Sequence, residues 1–466
     1  MSAQIGTPEN PLRVAIIGSG PSGFYAADHL QKQKDLVVHI DMFDRLPTPF
    51  GLVRGGVAPD HGKIKSVTKV YDKIAADPNF RFYGNVEFGK DLTHDDISKF
   101  YHQVIYAVGA QTDKRMEIPG EDLPGSHPAT EFVAWYNGHP DYRDFKFDLT
   151  QESAIVVGVG NVAMDVARIL ASSYEELVKT DMADYALEAL KNSKVRNIYL
   201  LGRRGPAQAA FTTPEVKELG ELEETDVVAD INEVTLDPLS KAFLEANPDS
   251  SIQNNIDIMT GYAKQAPKGR PKKLHMRFLV SPEEITGNGR VEAVKIVKNE
   301  LFQNKDGSLR PKATDKSEIL KAGLIFRSIG YKGVALPGVP FNDSWGVIPN
   351  KDGRVHDPKS DAIIDGEYVV GWIKRGPSGV IGTNKPDSQA TVNMMLEDLN
   401  QNKCFNPSAT KREAVEKMLQ DKKVKFVSYQ EWQKLDQLEL QRGQAAGRPR
   451  LKFTRVDDML IELGKK

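Results

Sequence analysis

One stretch limits what this chain can fold into more than any other: RVAIIGSGPSGFYAADHL, from Arg13 to Leu30. Val14 to Ile17 is a short, wholly apolar run, the pattern of a central parallel strand. Gly18, Gly20 and Gly23 follow, and then Phe24, Ala27 and Leu30 recur at helical spacing. The glycines have separate jobs. Gly18 permits the tight turn, Gly20 lets a pyrophosphate approach the backbone, and Gly23 lets helix pack closely on strand. The helix start then offers unpaired N–H groups and a partial positive charge to phosphates. A strand before the glycines and a helix after them turn a weak pattern into a dinucleotide-binding turn.

The pattern returns at SAIVVGVGNVAMDVARIL, Ser153 to Leu170. An apolar strand leads into Gly158, Gly160, Asn161, Val162 and Ala163, and Val162, Val166 and Ile169 share one helix face. Ala163 stands where the third glycine would be, a variation the motif accommodates. The strands after the two turns end differently. LVVHIDMFD ends in Asp44, a little beyond the usual spacing for the acid that binds a ribose hydroxyl, which suits the unphosphorylated ribose of FAD or NAD. VRNIYLLGRR ends in Arg203 and Arg204, whose guanidinium forks match a 2′-phosphate. The chain therefore reads as two nucleotide sites of opposite preference.

At 466 residues the chain is long for one core, and two domains are expected. A net charge of −2 argues against bulk nucleic-acid binding but leaves room for a local basic patch facing an acidic protein. No apolar run approaches the ~18 residues needed to span a bilayer. MSAQIGTPENPLR carries neither a signal-peptide core nor an Arg-rich amphipathic pattern, so a cytoplasmic location is the expectation. Cys404 is the single cysteine, which rules out a C-x-x-C dithiol and a cysteine-ligated iron–sulfur cluster on this chain.

Between the turns, Leu46 to Ser66 is a long Gly/Pro-rich loop of the kind that often carries function. Val67 to Ala76 reads as a helix, and Tyr101 to Ala110 as an apolar strand closing on Gly109. Pro119 to Pro128 has the composition of a linker and is the expected crossing between domains. HMRFLVSPEEI and RVEAVKIVKNEL suggest an antiparallel layer, and GLIFRSIGY another strand returning to the first domain. A strand ending at Gly371-Trp372 precedes a Gly/Pro loop and a helix from about Asp387, with the loop placed beside a flavin ring. The tail beyond Asn400 is charged and partly helical.

Together these stretches resemble the adrenodoxin-reductase-like family of ferredoxin–NADP reductases, of the bacterial type. The match runs nearly the whole chain, through LPTPFGLVRGGVAPDH, IYAVGAQ, IPGEDLPG, LGRRGPAQAAFTTPEVKEL, FRSIGY and YVVGWIKRGPSGVIGTNK. The resemblance implies an α/β fold of two Rossmann-like dinucleotide-binding domains, the NADP domain (113–329) inserted into an FAD domain built from 1–112 and 330–466. It implies an oxidoreductase that takes hydride from NADPH onto FAD and releases single electrons to an acidic ferredoxin-type iron–sulfur protein. Ser22, Asp44, Gly51, Leu52 and Val86 would then contact FAD, with Trp372, Gly379, Val380 and Ile381 against the flavin. Gly160, Asn161, Val162 and Ala163 would hold the NADPH pyrophosphate, Arg203 and Arg204 its 2′-phosphate, and His61 and Glu215 would lie by the nicotinamide. The family often has Pro after that histidine; this chain has Gly62, so a looser loop is expected. For the acidic partner, Lys374, Arg375 and the run Lys264 to Lys273 are the candidate docking charges.

Overall fold

The computed structural model describes residues 4–466, and the chain in it folds around two sheets, one parallel and one parallel except for two antiparallel pairs at its edge. Strands β1 (Leu12–Ile17), β2 (Val38–Phe43), β3 (Phe80–Tyr83) and β4 (Gln103–Tyr106) begin the outer sheet, with β1 buried at every position between β2 and β4. Its unbroken apolar run is what a parallel strand covered on both faces requires. Helix α1 (Pro21–Gln31) crosses back over it.

The short strand β5 (Thr112–Asp113) leads into the inner sheet. That sheet contains β6 (Ser126–Pro128), β7 (Ser153–Val157), β8 (Asn197–Gly202), β9 (Thr225–Ala229) and β10 (Lys272–Phe278). Helices α2 (Asn161–Ala171) and α3 (Thr213–Glu218) belong to the same unit. At Leu279, with φ +56°, the chain leaves the parallel sheet and enters an antiparallel layer of β11 (Val280–Thr286), β12 (Ala293–Gln303) and β13 (Leu309–Lys321). HMRFLVSPEEI is thus split between two sheets: Lys272–Phe278 pairs in parallel with β8 and β9, and only the part from Val280 onward is antiparallel. β14 (Leu324–Arg327) returns to the inner sheet, whose order is β6-β14-β7-β8-β10-β9.

The way back to the outer sheet is β15 (Tyr331–Lys332), which pairs antiparallel with β5. Entry to and exit from the inner unit are therefore laced into one two-stranded ribbon. Pro119 to Pro128 is not the crossing. Its Pro119 and Pro124 carbonyls accept from Ile285 and Val291, which pins the segment onto the antiparallel layer. β16 (Asn350–Lys351), β17 (Arg354–Asp357) and β18 (Ala362–Val369) then extend the outer sheet to the order β16-β17-β18-β4-β1-β2-β3. Helix α4 (Asn384–Asn400) packs against α1.

The tail is built into the molecule. Trp432, on the helix Tyr429–Ala445, is buried against Phe50 with ring centroids 5.8 Å apart and sits under the Arg54 guanidinium. Beyond that helix, Arg448 to Arg455 runs along the inner unit: Arg448 bonds Thr180, Met182 and Asp184, and Lys452 bonds the Asn137 carbonyl. Among the described residues no helix is long and apolar enough to cross a membrane.

Candidate functional site

The two glycine turns have the same construction, and their Cβ positions show why. At Gly18, with φ +104°, a Cβ would lie 2.6 Å from the Ala107 carbonyl, and at Gly158, with φ +127°, 2.2 Å from that of Ser328. These first glycines are needed because the next strand passes behind them. Gly20 and Gly160 are opposite in character: a Cβ at either meets nothing within 4 Å. Each opens onto a cradle at a helix start, and neither helix has a side-chain cap on its first N–H groups. Eleven-residue helices with uncapped starts facing open space fit a bound pyrophosphate, twice over. Gly23 packs under the Gly18 carbonyl, as the close helix–strand contact demands.

Around the first cradle, Gly51 takes φ +49° with its Cβ direction 3.1 Å from Gly20 Cα, and the 46 % exposed Leu52 comes next. Asp44 stands at the end of β2, but its carboxylate also organises the turn. It accepts from the Ser19 amide at 3.0 Å, from Ser19 Oγ at 2.5 Å and from the Leu46 amide at 3.0 Å. Val86 directs its side chain into the apolar cluster with Phe43 and Tyr83, and its amide bonds the Asp44 carbonyl. Gly371, with φ +75°, lies against Ser22, where a Cβ would be 2.5 Å from Oγ. Trp372 stacks on Tyr331 at 5.7 Å and donates from Nε1 to the Ser378 carbonyl. Gly379 (φ +78°) and the 53 % exposed Val380 form the open rim of that loop, while Ile381 turns inward against the core. Gly109, φ +70°, has no atom near its Cβ direction.

Around the second cradle, Asn161 Oδ1 accepts from the Thr212 amide, Val162 is partly buried, and Ala163, in the first turn of α2, is fully buried. Arg203 is exposed and Arg204 half-buried; neither forms an ion pair among the described residues. Burial, with Arg203 and Arg310 close by, pulls the Arg204 guanidinium below its usual value. Arg310, on β13, is a third cation that sequence reasoning missed, because β13 reaches this place only through the antiparallel layer. Three like charges gathered together, none of them in an ion pair among the described residues, favour an anion.

Between the cradles lies a cluster of charged groups. His61 Nε2 is 2.9 Å from Glu218 Oε2, and Nδ1 is 3.8 Å from Glu215 and 3.9 Å from Asp165. His61 and Glu215 are a pair expected from the sequence, and the fold brings them together across the two units. Asp60, Asp165, Arg168 and Glu218 were not expected there. Asp165 and Arg168 sit three apart in a helix that is apolar elsewhere after Asn161, and that buried pair was the available signal. Burial raises the carboxyls of Asp165 and Glu215, against the lowering pull of Arg168. Asp60, by contrast, is held low by Arg168 in spite of burial. Gly62 does not loosen this loop. It opens a helical turn, Gly62–Lys65, with His61 at its cap and its side chain only 11 % exposed.

Of the expected docking charges, Lys374, Arg375, Arg270 and Lys272 are tied up internally, while Lys264, Lys268 and Lys273 stay exposed. Lys374 pairs with Asp387 at 3.1 Å, and Arg375 bonds Asn384 at 3.0 Å. Arg270 donates to the Leu222 and Thr225 carbonyls, and Lys272 to those of Leu170 and Ser172. Arg270 and Lys272 thus serve backbone carbonyls, and Lys374 and Arg375 serve side chains of the loop and helix that follow them.

Comparison with known proteins agrees with this geometry. Residues 12–359 match the family described as pyridine nucleotide-disulphide oxidoreductase. The chain is 45 % identical over 463 residues to the NADPH-ferredoxin reductase FprA of Mycobacterium tuberculosis (strain ATCC 25618 / H37Rv), covering 97 % of this chain and 100 % of that one. It is 38 % identical over 460 residues to the mitochondrial NADPH:adrenodoxin oxidoreductase of Arabidopsis thaliana, covering 97 % and 95 %. A solved structure of Mycobacterium tuberculosis FprA in complex with NADPH superposes with a TM-score of 0.90 at 44 % identity, over 97 % of this chain and 99 % of that one. With two uncapped helix starts on two mainly parallel sheets and a family match over most of its length, this chain belongs to the pyridine nucleotide-disulphide oxidoreductase family.

Proposed function

We propose that this protein is an FAD-dependent NADPH–ferredoxin reductase. The observation that carries the reading is the pair of open glycine cradles, one served by Asp44 and the other by unpaired arginines. We assign FAD to the outer sheet (residues 1–112 and 330–466) and NADP(H) to the inner unit (113–329). Bound FAD supplies the redox chemistry, accepting a hydride and passing electrons on one at a time.

The chain's own residues supply binding and orientation. Gly20 and the start of α1 hold one pyrophosphate, and Gly160 and the start of α2 the other. Arg203 and Arg204 take the 2′-phosphate, with Arg310 behind them. Trp372, braced by Tyr331, and the Gly379–Ile381 loop bound the flavin side, and His61 and Glu215 face the nicotinamide across the joint. Holding donor and acceptor in register is the main demand of a hydride transfer, and no nucleophile is needed. The family's name refers to disulphides, but Cys404 is the single cysteine, so this chain would supply no dithiol relay to a bound flavin. A ferredoxin-type iron–sulfur protein is the acceptor, and we infer that it is acidic. Lys385, exposed at the start of α4 and unpaired among the described residues, and Lys63 beside His61 replace Lys374 and Arg375 as the steering charges.

The test is NADPH-driven cytochrome c reduction by purified holoenzyme with and without an added ferredoxin. Strong stimulation by the ferredoxin, weakening with salt while ferricyanide reduction holds steady, is expected. Equal rates with and without ferredoxin would overturn the assignment, and a salt-independent stimulation would overturn the acidic partner.

A further inference from the structure

We propose that Arg168 is a positioning residue for hydride transfer: one buried guanidinium that ties the loop bearing His61 to Glu215 and so sets the width of the nicotinamide cleft. The inference rests on the reading of His61 and Glu215 as the groups facing the nicotinamide.

Arg168 is 3 % exposed and reaches carboxylates on three separate segments. Toward the outer unit its Nε donates to Asp60 Oδ2 at 2.7 Å and its Nη2 to Asp60 Oδ1 at 3.2 Å, a two-pronged contact. Toward α3 its Nη1 donates to Glu215 Oε2 at 2.8 Å, with Glu218 Oε2 at 3.7 Å. Within α2 its Nη2 donates to Asp165 Oδ1 at 2.7 Å. Asp60 is the neighbour of His61, so one side chain links both candidate nicotinamide residues to the helix that begins at the second cradle. Four carboxylates surround this guanidinium, and the His61 imidazole lies among them. Tyr136, whose buried hydroxyl has no hydrogen-bond partner among the described residues, faces the cluster, as do Tyr331 and, from the loop side, Lys65.

A buried ion cluster by itself is weak evidence for stabilisation, since well-packed apolar groups often do as well. Geometry is what this one supplies. Lysine would keep the charge but could not hold three carboxylates in fixed directions.

Asp60→Asn and Arg168→Lys, each as FAD-loaded protein, are compared with the parent by anaerobic stopped-flow. The limiting rate of flavin reduction at saturating NADPH should fall about tenfold or more, as small misplacements of reacting groups do. FAD content should stay the same and the dissociation constant for NADP+ should change by no more than about threefold. The long-wavelength charge-transfer absorbance of the reduced enzyme with NADP+ should weaken, which a purely structural role would not require. Parent rates with full charge-transfer absorbance in Asp60→Asn would overturn the proposal, as would a loss confined to NADP+ affinity. Should Arg168→Lys fail to fold, Asp60→Asn decides alone, since its guanidinium keeps Asp165 and Glu215. A parallel Glu215→Gln variant separates the two readings. If it reduces flavin at the parent rate while Asp60→Asn is slow, the role given to Glu215 fails and the Arg168 tie stands.

Discussion

Arg203 and Arg204 owe their meaning to what they lack among the described residues, a carboxylate partner. Because NADPH and NADH share a nicotinamide, discrimination must come from the 2′-phosphate. A hydrogen bond to a charged group contributes roughly 1.5–3 kcal/mol, less at an exposed position. Arg204→Ala should therefore lower the NADPH/NADH ratio of kcat/KM by about tenfold or more, mostly through KM, and exposed Arg203→Ala by less. Arg310→Ala should move the ratio the same way. Steady-state kinetics with both nucleotides checks all three, and an unchanged ratio would mean that the phosphate lies elsewhere. Asp165 and Glu215 make stability depend on pH. Their carboxyls are raised in the folded protein, so the native state binds more protons than the unfolded chain just above the ordinary carboxylate range. Stability from these groups is present at low pH and falls as pH rises through that window. Asp165→Asn should flatten that slope in a series of melting temperatures against pH; a slope identical to the parent's would count against it.

Among the elements, the glycine turns separate two kinds of requirement. Gly20→Ala places a methyl in open space, at φ −78°, so the fold should be retained while FAD binding weakens. Gly160→Ala should likewise raise KM for NADPH and leave FAD in place. Gly18→Ala is different: its φ is left-handed and its methyl would meet backbone, so stability itself should drop by about 1–3 kcal/mol or more. Unfolding midpoints and flavin content of the three variants test this division. A Gly20→Ala protein as unstable as Gly18→Ala would refute it. The turns were legible in the sequence because spacing alone specifies them. The splitting of Lys272–Thr286 between two sheets was not, since a single positive φ at Leu279 made the switch.

For the molecule as a whole, the joint between the units is the decisive feature. Asp181 of the inner unit is buried between Lys65 of the outer loop, at 2.7 and 2.8 Å, and Lys452 of the tail, at 3.3 Å. Burial alone would raise its carboxyl, but the two ammonium groups hold it down at about 2. Such a group stabilises the fold above its unfolded pKa near 4, and that contribution is lost as pH falls from about 4 toward 2. Asp181→Asn leaves two buried ammonium groups unpaired and should cost about 3–5 kcal/mol at neutral pH. Thermal unfolding at pH 7 and on the acid side should show a large loss at the first and a smaller one at the second. Equal losses at both would refute the assignment.

Local pattern was enough to read two glycine turns between strand and helix, the contrast between Asp44 and Arg203-Arg204, and the absence of a dithiol. Each of these depends on residues close together in the chain, or on a simple count. Only the tertiary structure could decide what lies between the turns. Asp60, Arg168, Glu215 and Glu218 come from distant segments, as do Asp181, Lys65 and Lys452, and Arg310 reaches Arg204 from another layer. It also reassigned Lys374, Arg375, Arg270 and Lys272 from docking to internal bonds. Whether a charge faces solvent, a carboxylate or a carbonyl depends on which distant segments pack beside it, and spacing along the chain does not encode that.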